Sequence, residues 1–285
     1  MKIKALFVLC VLFFHPFAVY AWDLTLSGGV DFASYPPDSQ SRIGRNLDPV
    51  LLPVYLAEFK GEFAVEYNYN LRVFYDTIWR EVFSGDVGYR FGKVDIGLGF
   101  FMSDFNTTAI THAAGFSGRA GFEFPGVFFI NAGVASSLDD GSWPAGASKK
   151  RMFSGKAGFW LPHIFVTFDF ETKSFIEQVT ETLEIRNGRT RYKGSIEIHS
   201  KNVPYRLRFD FGMQELSREM TDGVPLESAS TSHFFAGFGF YARPGKIFAW
   251  FIDGEILLNL FNSTNLGTGF YYRATAGVIF SYPEN

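Results

Sequence analysis

Tyr-Arg-Leu-Arg-Phe-Asp-Phe-Gly-Met-Gln, residues 205–214, divides into two faces. Tyr205, Leu207, Phe209, Phe211 and Met213 fall on one, and Arg206, Arg208, Asp210, Gly212 and Gln214 on the other. Successive side chains of an extended chain point to opposite sides, so a period of two identifies a β-strand with one apolar and one wet face. The division recurs in residues 192–199, where Tyr192, Ile196 and Ile198 oppose Lys193, Ser195, Glu197 and His199. In residues 164–173, Ile164, Val166, Phe168 and Phe170 oppose Thr167, Asp169, Glu171 and Lys173. Further on, Phe248, Trp250, Ile252, Ile256 and Leu258 oppose Asp253 and Glu255.

Punctuation between the strands alternates in kind. A weak repeat, Gly-Tyr-Arg-Phe-Gly-Lys at 88–93, Gly-Phe-Glu-Phe-Pro-Gly at 121–126, Gly-Phe-Trp-Leu-Pro-His at 158–163 and Gly-Phe-Tyr-Ala-Arg-Pro-Gly-Lys at 239–246, ends a strand at a tight turn each time. With Lys60-Gly61 and Asn202-Val203-Pro204, six short turns alternate with seven longer polar connections. The longer ones fall near 33–52, 72–81, 103–114, 137–150, 174–190, 217–231 and 260–268. Together they predict 14 strands with both termini on the short-turn side, or twelve if residues 53–71 form one bent strand. A helix in 175–185 is the other alternative, because that stretch has neither a clean period of two nor turn residues before Asn187-Gly188.

The strands suit lipid better than a second sheet. Strands of about 10 residues rise about 33 Å, and a tilt of about 40° brings this near the 25 Å apolar band of a membrane barrel. The apolar face carries almost nothing ionisable, whereas the polar face is charged through mid-strand. An Arg or Lys facing the bilayer midplane costs about 2–4 kcal/mol, while one facing a wet lumen costs little. Closure of the sheet also removes edges whose bare backbone groups hydrocarbon would not tolerate. Aromatics gather beside the short turns, as Tyr89, Phe91, Phe122, Phe124, Phe159, Phe240, Tyr241 and Tyr282, which is the placement of an interfacial girdle. A secreted β-sandwich would alternate as well, but nothing in a sandwich requires that girdle. The expected fold is therefore all-β: a closed antiparallel transmembrane β-barrel of 14 strands.

The N-terminus reads as an export signal. Lys2 and Lys4 precede an apolar run, 5–14, and Val19-Tyr20-Ala21 supplies the cleavage positions, so 1–21 is removed and 22–285 forms one barrel domain. Ten apolar residues broken by His15 and Pro16 fall short of the roughly 20 that a spanning helix needs. The single cysteine, Cys10, leaves with the signal, so neither disulfides nor thiolate chemistry operate in the mature chain. Loss of the two lysines moves the formal charge from −3 to −5, which is too small and too mixed to imply nucleic-acid binding. Aromatics equal charged residues at 19% each, with 35 Phe, against roughly 25% charged in ordinary soluble domains.

Signal, cysteine-free mature chain, alternating strands with aromatic ends and a final strand over 272–282 resemble bacterial outer-membrane β-barrel proteins, in size and strand number similar to small monomeric porins. That resemblance implies a cell outer-membrane location with both termini periplasmic. It also implies contact with outer-membrane lipid and assembly by the barrel-assembly machinery. Many members end on Phe or Trp; here Phe280 and Tyr282 keep the spacing, followed by Pro283-Glu284-Asn285.

The lumen then receives fourteen acids: Asp23, Asp31, Glu58, Glu62, Glu66, Asp86, Asp95, Glu123, Asp169, Glu171, Glu197, Asp210, Asp253 and Glu255. Against them stand ten bases: Arg72, Arg90, Arg119, Lys156, Lys173, Arg191, Lys193, Arg206, Arg208 and Arg273. The balance of −4 predicts a narrow pore for ions or small polar solutes with mild cation preference. Arg191, Lys193, Arg206 and Arg208 form a basic patch, opposed by Asp253 with Glu255 and by Glu62 with Glu66; the alternative is that these charges pair across strands and solvate a plugged lumen. Inward glycines, among them Gly88, Gly97, Gly212 and Gly239, either leave space or relieve crowding. The proline-bearing 33–52 loop is the candidate to enter the lumen.

Two other readings stand beside the pore: a non-conducting barrel whose surface loops bind a partner, and an outer-membrane hydrolase. Of the histidines, His163 and His199 lie by short turns, and His112 shares a loop with Asp104. None sits in a catalytic motif, no pair has ligand spacing, and no cofactor or metal is expected.

Overall fold

The computed structural model describes residues 21–33, 50–64, 67–75, 81–106, 110–138, 148–178, 182–199, 203–261 and 271–282. Strands fill most of them. In chain order they are β1 Ala21–Ala33, β2 Val50–Ala64, β3 Tyr67–Tyr75, β4 Glu81–Phe91, β5 Val94–Asn106, β6 Ile110–Phe124 and β7 Phe128–Ser137. There follow β8 Ser148–Trp160, β9 Ile164–Gln178, β10 Leu183–His199, β11 Tyr205–Asp222, β12 Pro225–Ala242, β13 Phe248–Phe261 and β14 Tyr271–Tyr282. Neighbours in sequence pair antiparallel, and β1 pairs with β14 from Trp22↔Tyr282 to Ala33↔Tyr271, so the 14-stranded sheet closes on itself.

The register puts the two faces where the alternation predicts. Across β5, Ile96, Leu98, Phe100 and Met102 are exposed on the outside, Leu98 at 79%. Tyr205, Leu207, Phe209 and Phe211 do the same on β11. In water so continuous an apolar surface would aggregate; in a bilayer it is the solvated face. At the short-turn end aromatic rings follow one another around the rim. Tyr67 lies 4.9 Å from Tyr89, Phe124 stacks on Phe128 at 6.2 Å, Tyr205 on Phe240 at 5.8 Å, and Trp22 on Tyr282 at 6.1 Å across the closing pair. Tyr241 is the exception. It pairs with Arg206 and Phe251 on the inner face, where the Arg206 guanidinium lies 5.3 Å from its ring.

Four sequence-based boundaries are corrected. Lys60-Gly61 is not a turn: both lie within β2, and Gly61 sits between Trp22 and Tyr69, whose rings flank Phe59 at 5.7 and 5.4 Å. A glycine there leaves room for neighbouring aromatics rather than bending the chain. β2 and β3 are nonetheless separate strands, so the count of twelve does not apply. No helix occupies the described part of 175–185, since β9 runs to Gln178 and β10 begins at Leu183. The expected loop 217–231 is mostly strand, with β11 and β12 joined through Gly223-Val224 and Gly223 at φ 66°.

A common physical cause underlies the last two corrections. β10, β11 and β12 have 17, 18 and 18 residues, and about 60 Å of strand tilted by about 40° overshoots a 25 Å apolar band. Past Tyr192, Met213 and Phe234 the outward register positions become Thr190, Glu215 and Ser232, then Gly188, Ser217 and Ser230. The outward positions there are polar as well, so the alternation fades while the backbone ladder continues.

Candidate functional site

Inside the barrel, charged side chains sort into three groups of ion pairs. On β2–β6, Arg119 reaches two strands away to Asp86 at 2.6 Å and also binds Asp95 and Asn68. Asn68 in turn donates to Asp95 at 2.5 Å, and Arg90 lies between Glu62 and Asp95 at 3.6 and 3.9 Å. On β8–β10, Asp169 is approached by Lys156 at 3.3 Å and Lys193 at 3.8 Å, and Glu171 by Arg189 at 2.6 Å and Lys173 at 3.1 Å. On β10–β13, Arg191 binds Glu255, and Arg208 holds Asp210 at 3.1 Å and Asp253 at 2.9 Å. Arg206 pairs with Glu197 at 3.3 Å nearer the rim. Of the patches expected to oppose one another across the lumen, Arg191 and Arg208 are joined to Glu255 and Asp253 across one or two intervening strands, which arginine is long enough to span, while Glu62 pairs with Arg90 and Lys193 with Asp169.

Inward glycines make that reach possible. A Cβ on Gly97 would stand 2.7 Å from Arg119 Nε, and one on Gly239 would stand 2.5 Å from Asp253 Oδ1 and 3.3 Å from Arg208 Cζ. Gly88 likewise lies under the Arg119 guanidinium, and Gly212 under the Phe235 ring. The space above these glycines is filled by neighbouring side chains rather than left open.

A cavity of about 1100 Å³ runs from the short-turn rim, at Trp22, Lys93, Pro125 and Tyr282, to Arg72, Lys173 and Arg189. Of the residues singled out as pore-lining, Glu62, Asp169, Glu171, Arg191, Lys193 and Arg273 line it. Arg206, Arg208, Asp210, Asp253 and Glu255 share the inner register face but lie outside its lining. Glu66 lies outside the described residues, as does most of the 33–52 loop. Sequence reasoning missed Lys60, Lys93 and Arg189 as lining groups, because each was read as part of a turn or loop. The continued strand register is the signal that would have found Lys60 and Arg189. With them the cavity wall holds seven acids against eleven bases, whereas the sequence-based count of −4 covered inner-face residues beyond the cavity and omitted these three bases.

Beyond the cavity the lumen narrows. Phe101, Lys150, Gln214, His233 and Phe235 are each under 5% exposed, and the Lys150 ammonium lies 5.1 Å from the Phe101 ring three strands away. Arg191, at the cavity edge, lies 4.2 Å above the Phe235 ring. His163 and His199 meet at the short-turn end, where His199 N–H donates to the His163 carbonyl at 3.0 Å. The backbone register sets Asp104 opposite His112.

A closed antiparallel barrel with an apolar outer face, an aromatic rim and a charged lumen has the fold of outer-membrane β-barrel proteins. Within that class, the monoaromatic hydrocarbon channel CymD superimposes with a TM-score of 0.50 over 93% of this chain and 89% of its own, at 9% identity. An anion-selective porin from Comamonas acidovorans matches at 0.46, with 8% identity over 92% and 98% of the two chains. OmpT, an outer membrane protein of Vibrio cholerae, matches at 0.44, with 8% identity over 92% and 96%. At such identities the likeness is one of fold. No protein-family profile matches the chain, and no curated protein matches it in sequence.

Proposed function

We propose that this chain is a narrow outer-membrane pore that lets ions or small polar solutes cross passively, after removal of residues 1–21 and with both termini in the periplasm. The carrying observation is the cavity of about 1100 Å³ lined by charged side chains inside a barrel whose outer face is apolar. At about 30 Å³ per water, it has room for on the order of 30 molecules. Its partners in this reading are outer-membrane lipid, the barrel-assembly machinery during insertion, and the solutes themselves; no residue is given a catalytic role. The groups that line the cavity carry a balance opposite to the one from which the mild cation preference was drawn. The test is single-channel recording of purified, heat-modifiable protein in planar bilayers, where small stepwise conductances are expected.

A second reading, a non-conducting barrel that binds a partner through its long-strand end, is favoured by the nearly buried Phe101, Lys150, Gln214, His233 and Phe235. Absence of conductance over a range of lipids and voltages selects it.

A further inference from the structure

We infer that the lumen is a path for small anions, with the β8–β10 wall as its selective segment; this rests on the pore reading above. On that wall each carboxylate is shared by two cations. Asp169 faces Lys156 at 3.3 Å and Lys193 at 3.8 Å, while Glu171 faces Lys173 at 3.1 Å and Arg189 at 2.6 Å. Two acids thus answer to four bases, and all six line the cavity.

The excess persists where the passage tightens. Lys173 and Arg189 are each 7% exposed at the inner end of the cavity, and the next charged inner group on β8 is the buried Lys150. An ion crossing that level passes within a Debye length, about 8–10 Å at physiological salt, of these positive groups, so their field is barely screened. Rings of Arg and Lys are what give anion pores their preference, and guanidinium forks favour oxyanions such as carboxylate or phosphate over a bare cation. Three of the acids that gave the inner face its negative count, Asp210, Asp253 and Glu255, lie on β11–β13 outside the cavity and are held by Arg208 and Arg191.

The experiment is the reversal potential of the full, folded chain in neutral phosphatidylcholine bilayers under a KCl gradient. The expected result is a chloride-directed reversal corresponding to about twofold or greater anion preference. Lys156→Gln with Lys193→Gln, at the more exposed pair, moves the reversal toward zero or beyond, and Lys173→Gln with Arg189→Gln moves it further. A wild-type reversal at zero or on the potassium side overturns the anion path while leaving the pore intact. An anion-directed reversal that neither double variant alters overturns the assignment to β8–β10. Folded protein that never conducts overturns the pore reading itself, and the anion path with it.

Discussion

Arg208 on β11 places Nη2 2.9 Å from Oδ1 of Asp253 on β13, and the pair passes over Gly239 of the intervening β12. Neither partner is a neighbour of the other in sequence or along one ladder. The bond exists because the strand between them has no side chain at that level.

Gly239→Ala is therefore expected to disturb the pair, since its Cβ would stand 2.5 Å from Asp253 Oδ1. The clash falls on the tip of a side chain that can turn aside, so the cost is that of the weakened ion pair, about 1 kcal/mol or less. Gly118→Ala, whose Cβ meets nothing nearer than 3.8 Å, serves as the control. The temperature at which the folded, faster-migrating band converts in SDS gels should fall for the first variant and hold for the second.

Sidedness is best tested at Leu98 and Asn131. Leu98 is the most exposed of the outward apolar residues, and Leu98→Arg should impair assembly by about 2–4 kcal/mol. Asn131 lines the cavity, and Asn131→Arg should be tolerated within about 1 kcal/mol. Asp210 is an unsuitable inner control, because it is buried against Arg208. Equal insertion efficiency of the two variants would overturn the face assignment.

Arg119 binds Asp86, Asp95 and Asn68 at once. Arg119→Met leaves two carboxylates without their shared cation, and with these groups partly exposed the loss should be about 1–2 kcal/mol. Combined with Asp86→Asn, the effects should be less than additive, which a double-mutant cycle on refolding equilibria measures.

Topology follows from the turns. An epitope inserted between Gly223 and Val224 should be labelled by antibody on intact cells, because the β11–β12 hairpin lies opposite the short-turn rim. The same epitope between Gly92 and Lys93 should require permeabilised cells. The reverse pattern would place the termini outside.

Read by itself, the sequence determined the all-β class, fourteen strands as the favoured count, and the inner face for the charged residues that it placed within strands. It did so because a strand lying between hydrocarbon and water must alternate, and that demand acts on residues two apart. Where the strands run past the apolar band the demand lapses, so the outer halves of β10 to β12 and the charges there, Arg189 among them, read as loop. The single glycine at Gly61 read as a turn for the same local reason, although its neighbours in space are Trp22 and Tyr69. Only the closed sheet decided that Arg191 meets Glu255 across two strands, that Asp169 and Glu171 each hold two cations, and that the cavity follows the basic β8–β10 wall rather than the acids of β13. Those contacts depend on register, closure and the reach of long side chains over glycine, none of which leaves a mark on the period of any one strand.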